Sequence, residues 1–177
     1  MQSKKQIFVG AVTDIHTVDK EGVGIYRWER DANGWKGFMY VRNTSLAALA
    51  IGNVVYHGTT GFAITTGANP TTFLEEVFSN GQAGKNTQLA FMAGVAVSAI
   101  PIGGFGWIQV FGYNALIQVE STVSIASGET LKGVSGQLYA VHDSAVGVAA
   151  IARRHITALT VSAGAGVTST AHFINCF

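Results

Sequence analysis

Several residue types that define particular classes of protein are scarce in this sequence. Its 177 residues include one cysteine, Cys176, which excludes a disulfide scaffold because a single thiol cannot pair within the chain. Charged residues make up 12% of the chain, about half of the ~25% typical of soluble domains. The net charge of +1 gives no field that would attract nucleic acid, so we expect no direct nucleic-acid partner. A hydrophobic content of 48% excludes a disordered chain.

The few charges are unevenly distributed. More than half of them lie in the first 42 residues, whereas residues 44–74, 86–119 and 155–177 contain no Asp, Glu, Lys or Arg. An isolated chain of this size needs charge over most of its surface to remain soluble. We interpret the three uncharged tracts as surfaces buried in an oligomer or a larger assembly. The alternative is a neutral surface of Thr, Ser, Asn and Gly.

No segment has the pattern of a membrane span or an export signal. Residues 89–102 are the most apolar run, but they are shorter than the ~20 residues of a spanning helix and contain Pro101. The apolar run after Lys4 and Lys5 is too short for a signal-peptide core. We expect a soluble chain made in a cytoplasm, with no membrane partner.

The clearest local pattern is a β-hairpin. Residues 24–30 and 35–42 are aromatic-rich runs on either side of a turn that contains Asn33-Gly34, a pair that favours tight hairpin turns. In the first run Tyr26, Trp28 and Arg30 share one face and the residues between them share the other. Neither face is purely apolar, so the pattern is consistent with a partner on each side.

The rest of the sequence predicts an all-β chain, a short-stranded β-sandwich or β-barrel. Residues 1–20 are predicted to be an N-terminal arm with a strand at 7–13, and residues 21–177 a single β-rich domain. Short strands between glycines are predicted near residues 52–56, 61–64, 88–119, 124–141, 146–158 and 157–177. Residues 146–158 could be a helix by composition, but Gly147 and the β-branched residues that follow favour a strand. Asn69 and Pro70 predict one short helix near residues 70–79.

The sequence contains no credible active site. Residues 142–144 have the types of a hydrolase triad, but neighbours on a strand face opposite ways. Asp14 and His16 would begin a metal site only with further ligands, and residues 103–106 lack the helix that would hold a phosphate. Residues 153–155 are too few to bind nucleic acid, and Cys176 lies among apolar residues that favour an inert thiol. We therefore expect no enzyme, no cofactor and no metal.

Two segments resemble a known family. Residues 34–57 contain an aromatic-Val-Arg-Asn run followed by small residues, a glycine and a strand, and residues 103–141 contain a Gly-Trp-Ile-Gln strand followed by Ser-Gly-Glu-Thr-Leu and a glycine turn. Both are similar to segments of head-decoration, cement-like proteins of tailed bacteriophages, over residues 35–160. The resemblance implies a β-rich virion protein, often trimeric, which binds the major capsid protein of an assembled shell without substrate, cofactor or metal.

On this interpretation the charged, aromatic N-terminal region contacts the capsid. Trp28 and Trp35 are the candidate anchors, because aromatic residues dominate interface energetics. The remaining candidate interface residues are Arg27, Arg30 and Lys36, which would fix the register, together with Lys4, Lys5 and Trp107. The alternative is that the hairpin packs over the core of its own domain and has no partner contact.

Other functions fit the same composition. A tail, fibre or head–tail connector protein is also β-rich and oligomeric. A carbohydrate- or ligand-binding β-sandwich would use Trp35 or Trp107 to stack on a sugar.

Overall fold

A computed structural model describes eight parts of the chain: residues 8–45, 47–57, 63–65, 92–119, 125–132, 139–142, 155–158 and 168–176. Every regular element in these parts is a β-strand, which confirms the predicted all-β class. The helix predicted near residues 70–79 lies outside the described residues.

Ten strands make up the described fold. In chain order they are β1 (Tyr26–Asp31), β2 (Gly34–Asn43), β3 (Val54–His57), β4 (Ala63–Thr65), β5 (Met92–Ala96), β6 (Phe105–Val119), β7 (Thr130–Lys132), β8 (Val141–His142), β9 (His155–Ala158) and β10 (Thr168–Asn175). These strands lie in segments where strands were predicted. The strand predicted at residues 7–13 is wrong in its described part, because residues 8–13 form bends and a turn. The predicted 146–158 strand is described only at its end, as β9.

The strands form one sheet that closes on itself. Their order is β1-β2-β4-β3-β5-β6-β10-β9-β7-β8, and β2 also pairs with β6. Strands β2, β4, β3, β5 and β6 therefore form a ring of neighbours, in which only β2 and β4 run parallel. Ile108 shows the closure, since it pairs with Met39 of β2 on one edge of β6 and with Ala96 of β5 on the other. Of the two predicted architectures, the pairing pattern corresponds to the barrel.

The larger apolar cluster packs between these strands. It includes Met39 and Val41 of β2, Ile108 and Val110 of β6, and Met92 of β5, all of them almost completely buried. Burying an aliphatic side chain of this size stabilises a fold by roughly 1.5–3 kcal/mol. This cluster is the main source of hydrophobic stabilisation among the described residues.

A second apolar cluster occupies the opposite face of β2 and β6. Phe38, Tyr40 and Trp107 form its buried centre. The N-terminal segment, residues 8–25, covers them with Phe8, Val12, Val23 and Ile25, and Val97 and Phe105 pack at the same place. Residues 8–20, which we predicted to be part of an arm, therefore lie against the sheet and complete its packing.

Hydrogen bonds hold the N-terminal segment in place. His16 exchanges two backbone hydrogen bonds with Phe105, at 2.9 and 2.8 Å, and its Nδ1 lies 2.8 Å from the Tyr40 hydroxyl. The Arg27 guanidinium donates to the carbonyl oxygen of Gly10 at 2.5 Å. The same guanidinium lies 4.9 Å from the centroid of the Phe8 ring, so it contributes a cation–π contact as well.

The predicted hairpin is confirmed, with its turn one residue earlier than the Asn-Gly pair suggests. Asp31 pairs with Gly34, so Ala32 and Asn33 are the two loop residues. The Asn33 backbone N–H donates to the Asp31 carboxylate at 2.8 Å. Gly34 follows with φ of 107°, a conformation that glycine adopts at little cost.

Two glycines allow the backbone packing to be tested with a matched pair of variants. Gly52 and Gly34 both have positive φ, at 82° and 107°. A Cβ at Gly52 would overlap the Leu116 carbonyl oxygen, whereas nothing lies within 4 Å of a Cβ at Gly34. We expect Gly34→Ala to lower the free energy of unfolding by about 1–2 kcal/mol through backbone strain. Gly52→Ala should lower it by about 1–3 kcal/mol more through overpacking.

Urea unfolding followed by tryptophan fluorescence would measure both losses. Equal losses would contradict the close approach of Gly52 to β6.

Candidate functional site

The structure separates the candidate interface residues into distinct groups. Lys4 and Lys5 lie outside the described residues. Trp28, Arg30 and Trp35 are exposed, Arg27 and Lys36 are partly buried, and Trp107 is completely buried.

The exposed candidates share one face of the first hairpin. Alternation along β1 places Tyr26, Trp28 and Arg30 on the same side, and Trp35 joins them because it pairs directly with Arg30. Tyr26, Trp28 and Trp35 are 43, 48 and 56% exposed, which is high for rings of this size. We call the surface formed by Tyr26, Trp28, Arg30, Trp35 and Phe111 the hairpin aromatic face.

A glycine determines how this face is built. Gly37 pairs with Trp28 on one side and with Phe111 on the other. The Trp28 and Phe111 rings meet with centroids 5.5 Å apart. A Cβ at Gly37 would lie 3.1 Å from two atoms of the Trp28 ring and 3.2 Å from Cβ of Phe111. The absence of a side chain at Gly37 therefore lets the Trp28 ring lie close to the sheet.

Sequence reasoning did not identify Gly37 or Phe111. The available signal was a glycine inside an aromatic strand, which often marks a place where another group approaches closely.

The two partly buried cations have partners on the other side of the hairpin. Arg27 lies 2.6 Å from the Glu29 carboxylate, and Lys36 lies 2.6 Å from that of Asp31. The hydrogen bond from Lys36 lowers the pKa of Asp31 below its ordinary value, and the Asn33 backbone N–H lowers it further. Arg27 and Lys36 thus make ion pairs within the hairpin itself, a role that we did not predict for them.

Trp107 belongs to the interior of the fold. Its ring lies 5.1 Å from the Tyr40 ring and 5.7 Å from the Phe8 ring, measured between centroids. Since it has no exposed surface, it offers neither a ring for a sugar nor a contact for a partner in this conformation. Its prediction as an exposed interface residue needs correction, because the N-terminal segment covers it.

The other chemical candidates have structural roles where they are described. The backbone N–H groups of Gly103 and Gly104 donate to the carbonyls of Asn43 and Pro101, so they are engaged within the fold. His142 lies 3.2 Å from the Glu129 carboxylate. Asp143, Ser144, Arg153 and Arg154 are not among the described residues. Cys176 is buried.

The described parts of the chain contain neither a metal-binding cluster nor a membrane-spanning helix. No group of three or more His, Cys, Asp or Glu in those parts could hold a metal ion. No helix with the length and apolar character to span a membrane occurs there.

No model of a known protein family matches the chain, and no curated protein matches it with significant similarity.

The hairpin aromatic face is the feature whose chemistry bears most directly on function. It combines exposed rings, which bury a large area on contact with little loss of side-chain entropy, with one guanidinium that offers five N–H donors. Such a surface suits a partner that has both apolar and anionic groups.

The difference in exposure among the three tryptophans leads to a first test of this site. Acrylamide should quench Trp28 and Trp35 efficiently and Trp107 poorly, because only Trp107 has no exposed surface. In a Trp28→Phe/Trp35→Phe double variant we expect emission at shorter wavelength and a severalfold smaller quenching constant. Trp107→Phe should be quenched at least as strongly as the wild type, because it lacks only the poorly accessible ring. Strong quenching in the double variant would contradict the cover over Trp107.

The buried phenol of Tyr40 leads to a second test. Burial raises the pKa of Tyr40 above its ordinary value of 10.0. The folded state therefore retains this proton when the unfolded chain loses it, so stability is intact below pH 10 and falls as the pH rises through the raised pKa. When the pH is raised from about 9 to about 11.5, a range that brackets the ordinary pKa, the free energy of unfolding should fall less in Tyr40→Phe than in the wild type. Urea unfolding at each pH measures this, and parallel losses would contradict it.

Proposed function

We propose that this chain is a non-enzymatic structural protein of a virion, a capsid decoration (cement) protein. It binds the assembled icosahedral shell and stabilises it. Its partners are the major capsid protein, which contacts the hairpin aromatic face, and further copies of the chain itself, assembled as a trimer. It is made in the host cytoplasm and resides in the virion.

The observation that carries this proposal is the exposure of Trp28 and Trp35 on one sheet face. Large exposed aromatic groups of this kind are typical anchors of protein interfaces. None of the side chains on the hairpin aromatic face is a usual nucleophile or general base at neutral pH, so the face is suited to binding. The sequence resemblance to phage decoration proteins indicates which kind of partner it would bind.

A second surface supports self-association. Ile51 and Leu116, from two of the uncharged tracts, are both exposed. Their segments meet where the Gln118 backbone N–H donates to the Gly52 carbonyl at 3.0 Å and the Gln118 side chain donates to the Ile51 carbonyl at 3.1 Å. Two uncharged tracts thus combine into one neutral, partly apolar surface, a composition typical of contacts between copies of a chain.

Carbohydrate binding is the second candidate function. The exposure of Trp35 favours it, since an exposed indole can stack on a sugar ring. The burial of Trp107 leaves this candidate with one of the two rings that we had predicted for it. A tail or connector role uses the same kind of surface and differs in copy number.

Quantitative mass spectrometry of purified virions would test the proposal. One copy for each shell subunit, or for every few, is the result expected of a decoration protein. A few copies per particle would assign the chain to the tail or connector. Absence from the particle would overturn the proposal and favour a search for glycan ligands.

A pair of variants tests the face itself. Trp35→Ala should weaken binding to shells at least tenfold, as expected if the ring is an anchor worth about 2 kcal/mol. Ile102→Ala removes an exposed apolar side chain from a turn outside the hairpin and should bind like the wild type. Titration of shells with labelled chain would measure both affinities. Equal affinities would show that the hairpin aromatic face is not the contact.

A further inference from the structure

Arg30 lies between the two exposed tryptophans of the hairpin aromatic face. Trp28 precedes it by two residues on the same face of β1, and Trp35 lies directly opposite it on β2. Facing residues of an antiparallel pair have Cβ atoms about 4.5–5.5 Å apart, so the guanidinium and both indoles belong to one small surface. This surface offers apolar contact and a fork of donors to the same ligand.

The charges of the hairpin leave Arg30 available. Glu29 and Asp31, its neighbours in sequence, point to the other face, where Arg27 and Lys36 neutralise them. Within the described residues Arg30 forms no salt bridge, and it is exposed. The hairpin aromatic face therefore presents a single positive charge among aromatic rings.

We propose that Trp28, Arg30 and Trp35 form a binding site for an acidic segment of a protein partner. A carboxylate of that segment pairs with the Arg30 guanidinium, and an apolar side chain beside it packs on the two indoles. The inference rests on the proposed function, in which the partner is the major capsid protein. It adds the chemistry by which that partner is recognised.

The distribution of charge favours a protein segment over an acidic polysaccharide. A polysaccharide of repeating uronic acids carries a charge on every sugar and is matched by a row of cations. This face has one cation, and beyond it Tyr26 and Phe111 extend the apolar surface. A ligand complementary to this face has one carboxylate followed by apolar groups, and a protein segment with one acidic residue beside apolar residues has this pattern.

Binding of the full chain to empty shells assembled from the major shell protein alone tests this site. Arg30→Gln should raise Kd about tenfold or more and reduce the dependence of Kd on salt, because the variant lacks the charge that pairs with the carboxylate. Arg42→Gln is the matched control. It removes the same charge from an exposed β2 arginine, whose guanidinium lies 5.6 Å from the centroid of the Phe105 ring. This control should keep the wild-type Kd and salt dependence.

The possible failures are distinguishable. If the wild type binds shells and both arginine variants bind equally well, the acidic-segment site is wrong and the decoration role stands. If the wild type does not bind shells, the decoration role fails and the site loses its partner. Binding of polygalacturonate in a way that depends on Arg30, without shell binding, would assign the site to an acidic polysaccharide and overturn the inference.

Discussion

The pairing of β2 with β6 is the interaction on which the rest of the structure depends. It joins residues 37–42 to residues 105–111 and closes the ring of strands. Because side chains alternate across a strand, this one ladder supports two clusters. Met39 and Ile108 contribute to the core on one face, while Tyr40 and Trp107 lie under the N-terminal segment on the other. Loss of the ladder would open both clusters together.

The same ladder supports the surface that we propose to be functional. Strand β2 begins in the hairpin, where it pairs with β1, and continues into the ring of strands. A register shift in its pairing with β6, between Gly37 and Phe38, lies where these two parts meet. Such a shift increases the local twist and reorients the strand that follows. At this point Gly112, with φ of 96°, lies against the backbone of Trp35. The backbone that carries Trp35 is thus held against β6, which limits the entropy lost on binding.

Local sequence patterns predicted the hairpin, the all-β class and the approximate positions of the strands. They could not distinguish Trp35 from Trp107, since each follows a glycine in an aromatic strand. The difference is that residues distant in sequence cover Trp107. Alternation likewise shows that Arg27 and Arg30 face opposite ways, but not that Arg27 faces the N-terminal segment. Both distinctions depend on contacts between distant parts of the chain, which a local pattern does not contain.

The order of synthesis gives the β2–β6 ladder a further consequence. Tyr40 leaves the ribosome well before Trp107, and at about 5–20 residues per second the interval is roughly 3–13 s. During that time Phe38 and Tyr40 have no β6 to pack against, and Phe8 and Val12 can cover them only in part. A nascent chain with exposed aromatic residues and few charges is prone to aggregate. Efficient production in a cell therefore requires either rapid closure of the ring once β6 emerges or the help of a chaperone.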